Sequence, residues 1–372
     1  MKKVLFNLQN IQPEGGIKRH GGGKYGEIVF TAIVEKGLPV VGVYDSKRWI
    51  NPSILEIISS NSVALYDINQ VQICDIIEKE KIDTLYTPLV YKGIINNYGC
   101  NIVGTIHGLR ELEIPRDKFL KKYRLPFRIL RTIKRNFNRE PLLLFLRRIL
   151  PYSYFYPVTV SNHTASAIKV FFPNTCKKIP VFYSPSTSNN IVKETKYTEK
   201  YFLLVSASIP YKNNLRAIIA LDQLFSKGYL SDFMVKITGV DSPSIYKYKI
   251  KNKDRFVFLG YVEDNELSQL YHDTYCFIYP SLTEGFGYPP LEAMCYGKPV
   301  LASPFTSITE VLGDAALYFN PFSVEEIMNR ILQISQNEIY KEYALKSRDR
   351  FCLIKKKQDI DLEELVKYIY SV

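Results

Sequence analysis

Two carboxylates frame a short stretch, Glu284-Gly-Phe-Gly-Tyr-Pro-Pro-Leu-Glu292. Ionised carboxylates accept hydrogen bonds and donate none. A pair of them held close together can therefore grip donors on a bound ligand. Glu284 follows the apolar run Cys276–Pro280, and Glu292 falls just past Pro289 and Pro290. Proline suits a first helical turn, where its missing N–H would go unpaired anyway. The spacing predicts strand, tight turn, then helix, with both acids at one strand's C-terminal end. Open α/β sheets bind ligands there. Gly285 and Gly287 let main-chain N–H groups come close to such a ligand.

A second stretch offers positive charge. Ser206-Ala-Ser-Ile-Pro-Tyr-Lys-Asn-Asn214 follows an apolar run and opens a helical pattern over Leu215–Ser226. A helix N-terminus attracts phosphate through its unpaired N–H groups and its dipole. Lys212 adds a full charge. In the first half, His20-Gly-Gly-Gly-Lys-Tyr25 precedes a helical pattern at Glu27–Glu35. Its glycines permit close backbone approach to a ligand or serve as a plain turn. The spacing does not meet a dinucleotide-binding Gly-x-Gly-x-x-Gly. His107 ends a strand pattern, where it either meets a ligand or sits in the core. His163 is expected to help open a helix near the cap residue Ser161. His272 receives no role.

These groups need a scaffold. Apolar runs alternate with helical patterns, which argues for parallel α/β layers. Strands are expected at Lys3–Asn7, Val40–Tyr44, Val63–Asp67, Thr84–Pro88, Ile102–His107, Val158–Ser161 and Ile179–Tyr183. A second series falls at Tyr201–Ser206, Phe233–Thr238, Phe256–Leu259, Cys276–Tyr279, Val300–Ala302 and Ala316–Phe319. The polar residues 185–200 between the series read as a linker. At 372 residues the chain suits two domains, since single cores rarely grow beyond roughly 250–300 residues. The expected division is 1–190 and 191–354.

The motifs as a set resemble retaining glycosyltransferases of family 4, which have the GT-B fold. The likeness runs through Phe258-Leu-Gly-Tyr-Val262, Leu270-Tyr-His-Asp273, Phe277 to Gly287, Ala293 to Val300 and Gly313 to Pro321. It is dense from about 200 to 330. It continues more thinly in Gly22-Gly-Lys-Tyr25, Thr105-Ile-His107 and Val158-Thr-Val-Ser161. The resemblance implies two Rossmann-like, doubly wound parallel-sheet domains facing a cleft. The first would bind the acceptor and the second a nucleotide-sugar, and a last helix, about 355–372, would pack back on the first.

The resemblance also implies roles. Glu284 would hydrogen-bond the transferred sugar and face its anomeric centre. Glu292 would accept hydrogen bonds from both ribose hydroxyls, and Leu291 would also be a donor-binding residue. Tyr261 and Val262 would meet the base through main-chain groups. Gly285, Phe286, Gly287 and Tyr288 would offer N–H groups to sugar or phosphate. Lys212 would neutralise the departing diphosphate, with Ser208 beside it. Gly22 and Gly23 would lie near the diphosphate and acceptor, and His107 would touch the donor sugar. The family's usual Gly-Arg pair before that lysine is absent, since Ser206, Ala207 and Ser208 stand there.

The reaction expected is transfer of a hexose from a nucleotide-sugar to a hydroxyl of a saccharide or lipid-linked saccharide, in bacterial surface polysaccharide assembly. The alternatives are a donor-binding but inactive partner subunit and a GT-B nucleotide-sugar epimerase. A starch-type synthase is disfavoured because its Lys-x-Gly-Gly loop is only loosely echoed. No cofactor or metal is expected beyond the nucleotide-sugar co-substrate. The Asp-x-Asp triplet that positions a cation in the rival GT-A fold occurs here only at Asp359-Ile-Asp361, and it reads as a helix start.

Net charge is +12, of which residues 116–150 carry +10. Twelve Lys/Arg alternate there with Phe119, Leu120, Leu125, Phe127, Ile129 and other apolar residues. Such a basic amphipathic stretch lies on an anionic membrane surface or packs as a helix with a solvated face. Nucleic-acid binding is not expected, because no such motif accompanies it. The N-terminal apolar stretch is too short for a signal peptide. No uncharged apolar run reaches the ~18 residues of a spanning helix. The six cysteines read as reduced thiols. The chain is therefore expected in the cytoplasm, peripheral on the inner face of the cell membrane.

Overall fold

The computed structural model describes residues 2–13, 21–90, 96–115, 117, 119, 122–123, 139–174, 178–186 and 199–372. His20, Cys176, most of 116–138 and most of the expected linker lie outside the described residues. The chain forms two compact units. One holds residues 1–109, 140–187 and 355–372; the other holds 110–139 and 188–354. Residues 110–139 thus group with the second unit, although the expected boundary put them in the first. Described anchors explain the grouping. Asp117 pairs with Arg216 at 2.7 Å, and the Tyr123 ring packs edge-on against Tyr246.

The first unit carries strands β1 (Val4–Asn7), β2 (Val40–Tyr44), β3 (Ala64–Asp67), β4 (Thr84–Thr87), β5 (Asn101–Ile106) and β6 (Phe155–Thr159). They form one parallel sheet in the order β3-β2-β1-β4-β5-β6. The second unit carries β7 (Tyr201–Leu204), β8 (Met234–Ile237), β9 (Phe256–Phe258), β10 (Cys276–Tyr279), β11 (Val300–Ala302) and β12 (Ala316–Tyr318). Its parallel sheet runs β12-β11-β10-β7-β8-β9. Both orders are doubly wound. Each reverses beside its first strand, at β1/β4 and at β7/β10, and ligands bind such sheets at the reversal.

The strands are continuous apolar runs because parallel sheets are covered on both faces. All four residues of β1, β7 and β10 are buried. The Asn214–Ser226 helix covers the second sheet with Leu215, Ile218, Leu221 and Leu224, all fully buried. Two expected elements differ. Ile179–Tyr183 is no strand; it makes one bridge, Val181 to Thr159. Pro180 in its middle has no N–H to extend a ladder. Asp359 and Asp361 do not start a helix. They lie well inside Asn337–Ser371, paired with Lys355 and Lys357 one turn earlier.

That last helix belongs to the second unit as far as Ile354 and to the first from Lys355 onward. Its last stretch buries Leu365, Val366 and Ile369. The Asp361 carboxylate accepts the Tyr183 N–H at 2.8 Å. Ser161 caps the Asn162–Phe171 helix, its Oγ accepting from the Thr164 N–H. Cys100, Cys276 and Cys295 are buried thiols, whereas Cys74 and Cys352 are exposed.

Candidate donor site in the second unit

The second unit's reversal point is where Lys212 and Glu284 meet. Lys212 follows β7, in the 3-10 turn Pro210–Lys212 that leads into the Asn214–Ser226 helix. Glu284 follows β10. Lys212 Nζ donates to Glu284 Oε1 at 2.6 Å and to the Tyr279 hydroxyl at 3.0 Å. Ser281 Oγ donates to the same carboxylate oxygen at 2.5 Å. Both side chains of the ion pair are about nine-tenths covered, with exposures of 11% and 9%. Burial pushes the Glu284 carboxyl up, but the charge and hydrogen bond of Lys212, helped by Ser281, hold it below the ordinary carboxylate value. It is therefore an anion at neutral pH.

Local backbone fixes this arrangement. Ser206, Asn213 and Thr306 have left-handed backbones, with φ of 56°, 60° and 54°. Such conformations are costly for residues with a Cβ and persist only where neighbours enforce them. Asn213 shows the enforcement: its amide donates to the Pro280 and Pro321 carbonyls, and its Oδ1 accepts from Arg216. Gly287, at φ 106°, caps the Tyr288–Cys295 helix, which opens with the expected prolines. Thr306 Oγ1 accepts the Glu284 N–H, and Ser307 Oγ donates to the Glu284 and Phe286 carbonyls. The 284–287 turn is thereby tied to the start of the Ile308–Leu312 helix.

The other expected donor contacts spread around this centre. Glu292 lies half-buried in the first turns of the Tyr288–Cys295 helix. Burial, and then the charge of Glu292, push the neighbouring Tyr271 hydroxyl well above its usual pKa. Leu291 and Phe286 are buried, while Gly285 and Tyr288 are partly exposed. Ser208 is partly exposed in the turn after β7. Tyr261 is 60% exposed, and Val262 beside it is nearly covered. The main chain here makes a tight crossing, where a Cβ on Gly239 would stand 3.0 Å from the Ala207 nitrogen.

One residue was missed from sequence. Arg110 opens a short helix, Arg110–Glu113, and lies over the Tyr211 ring at 4.5 Å. The sequence signal stopped at His107, three residues earlier. Tyr279 was read only as a strand end, yet its hydroxyl holds Lys212.

In the first unit, Gly22 and Gly23 are not in a loop. They lie in the first turn of the Gly21–Glu35 helix. A Cβ on Gly22 would come 2.8 Å from Leu89, so the small residue serves close packing here. His107 follows β5, its Nε2 2.9 Å from the Pro88 carbonyl and its ring edge-on to Tyr25. The Tyr25 hydroxyl joins those of Tyr86 and Thr105 in a buried cluster. Among the described residues, no group of three or more His, Cys, Asp or Glu side chains is placed to hold a metal. No helix among them is long and apolar enough to cross a membrane.

Two doubly wound parallel sheets of this kind define the GT-B fold, and solved structures match it along the whole chain. WaaG, described as a glycosyltransferase involved in lipopolysaccharide biosynthesis, superimposes with a TM-score of 0.69 over 98% of this chain and 99% of its own, at 14% identity. Anabaena HepE, solved in complex with UDP-glucose, gives 0.67 over all of both chains, also at 14% identity. Residues 186–351 match the family described as glycosyl transferases group 1. That match covers a little under half of the chain. The O-antigen chain mannosyltransferase RfbU of Salmonella typhimurium is 31% identical over 235 residues, which cover 62% of this chain and 60% of RfbU. The match thus spans less than two thirds of that relative's length.

Proposed function

We propose that the chain is a retaining glycosyltransferase of family 4 type. It would move a hexose, with mannose favoured, from a nucleoside-diphosphate-sugar to a hydroxyl of a saccharide or lipid-linked saccharide in O-antigen-type assembly. The observation that carries this reading is the meeting of Lys212 and Glu284 at the β7/β10 reversal point. The group 1 domain and the RfbU likeness support the activity and its setting. The UDP-glucose held by HepE, a protein of the same fold, supports a nucleotide-sugar donor.

In this mechanism Lys212 releases Glu284 and turns to the diphosphate. The bond from the anomeric carbon to the diphosphate oxygen breaks, and the acceptor oxygen attacks on the same face. The acceptor's proton passes to the departing diphosphate, so no dedicated protein base is needed. Glu284 holds the sugar and stabilises positive charge as it develops. Lys212 and the N-terminus of the Asn214–Ser226 helix take the diphosphate charge without a metal. Glu292 holds the ribose, Tyr261 and Val262 flank the base, and Gly285, Phe286, Gly287, Tyr288 and Ser208 line the sugar and phosphates.

A thermal-shift panel of nucleotide-sugars tests this, because a ligand of the folded state raises apparent stability by mass action. One or a few, GDP-mannose foremost, should raise the melting temperature and support sugar transfer. A flat response across the panel would sink the proposal. A second reading, a donor-binding subunit without activity, draws on the closed Lys212–Glu284 pair. It would show binding without release of nucleoside diphosphate.

The membrane setting rests on residues 116–150, of which only 117, 119, 122–123 and 139–150 are described. The described end of this stretch exposes Leu144, Arg147 and Arg148 while burying Leu146 and Ile149. A cytoplasmic enzyme peripheral on the inner membrane face would float with anionic vesicles. Replacing Arg147 and Arg148 with glutamine should weaken flotation; unchanged flotation, or none by the parent chain, would end the idea.

A further inference from the structure

The diphosphate of a nucleotide-sugar carries more negative charge than one lysine can offset, and Lys212 is already shared with Glu284. The turn Ser206–Tyr211 holds no other cation. Arg110 is the cation that stands next to it. Its guanidinium lies over the Tyr211 ring at 4.5 Å, and Tyr211 adjoins Lys212. The ring holds the guanidinium in place by cation–π attraction. Tyr211 itself is tied down, its carbonyl accepting the Leu282 N–H at 2.9 Å.

Arg110 Nε is buried and has no hydrogen-bond partner among the described residues. An unpaired buried donor on a charged group costs free energy. Burial disfavours the charge, yet the nearby oxygens of Tyr211 and Glu284 more than offset it and raise the guanidinium's pKa. It is thus a fixed cation with a donor to spare, electrostatically coupled to the carboxylate that Lys212 holds. A guanidinium presents several N–H donors in a rigid fork that fits two phosphate oxygens at once. This residue lies outside the matched domain, in a segment that folds with the second unit.

We propose that Arg110 is a binding residue for the diphosphate, supplying from outside the family domain the second cation of the site. The inference rests on the donor reading above. When a diphosphate arrives, Arg110 pairs with its oxygens while staying stacked on Tyr211, and Lys212 is freed to share the load.

The test is calorimetric titration of the full chain with GDP and UDP, and with guanosine and uridine, for the parent, Arg110→Gln and Arg110→Lys. Whichever diphosphate binds the parent should bind Arg110→Gln about tenfold or more weakly, the scale of one charge-assisted contact. The matching nucleoside should be unaffected, and Arg110→Lys should recover part of the loss. Equal binding of the diphosphate by parent and Arg110→Gln would overturn this inference and leave the donor reading standing. So would an Arg110→Lys variant that loses as much as Arg110→Gln and melts as early, which would make the role structural. A parent that binds neither diphosphate would overturn both.

Discussion

Lys212 Nζ and Glu284 Oε1, 72 positions apart in sequence, stand 2.6 Å from each other with both side chains nearly covered. Each is the other's main electrostatic partner before any ligand arrives. Breaking such a pair from one side leaves a buried charge alone and costs about 3–5 kcal/mol. Lys212→Met and Glu284→Leu should each lower stability by that order in urea unfolding. The double variant should lose less than the sum, since two apolar groups leave no orphan charge. Additive losses would mean the pair is not coupled as seen.

The pair also sets a pH dependence. The Glu284 carboxyl is held below its ordinary value of 4.5. A depressed folded-state pKa adds stability that is complete above the ordinary value and is lost as pH falls through the depressed one. The melting-temperature gap between the parent and Glu284→Gln should therefore be steady from about pH 7 to about pH 5 and shrink as the pH falls further. A gap that widens on acidification would contradict this.

Asp117 anchors its segment to the second unit. It pairs with Arg216, which also donates to Asn213 and lies over the Phe119 ring at 3.8 Å. Asp117→Ala should cost about 3 kcal/mol, the low end for a buried pair, because Arg216 keeps two of its partners. Denaturant unfolding reads this. A loss under about 1 kcal/mol, typical of exposed pairs, would show the contact to be superficial.

Two glycines of the Gly21–Glu35 helix should behave differently. Alanine in a helix normally gains about 1 kcal/mol over glycine. At Gly26 a Cβ would fall 2.2 Å from Ile11 Cγ2, a stiff branched side chain in the core. Gly26→Ala should lose about 1–3 kcal/mol by overpacking. At Gly22 the nearest atoms are the ends of Leu89, which can turn. Gly22→Ala should lie within about 0.5 kcal/mol of the parent. Thermal unfolding separates the two cases.

Most strands were legible because buried parallel strands read as bounded apolar runs, and the Glu284 turn because glycine and proline mark it. What was not legible depended on long-range packing. Ile179–Tyr183 is apolar enough for a strand, but Pro180 limits it to one bridge. Asp359 and Asp361 looked like a helix start and are instead paired with lysines inside a long helix. The glycines before Lys24 read as a loop and instead open the Gly21–Glu35 helix, where Leu89 packs against Gly22. Arg110 carries no local motif. Only the fold shows that its segment joins the second unit and lies on Tyr211.

The central claim is that Lys212 and Glu284 act on a nucleoside-diphosphate-sugar, and slow donor hydrolysis tests it most directly. The parent chain, given GDP-mannose or another nucleotide-sugar that stabilises it but no acceptor, should release nucleoside diphosphate at a measurable rate. Glu284→Gln, folded by its melting curve, should still bind the donor yet release it at least about a hundredfold more slowly, the loss typical of one charge-stabilising group. Release by Glu284→Gln at the parent rate would contradict the account.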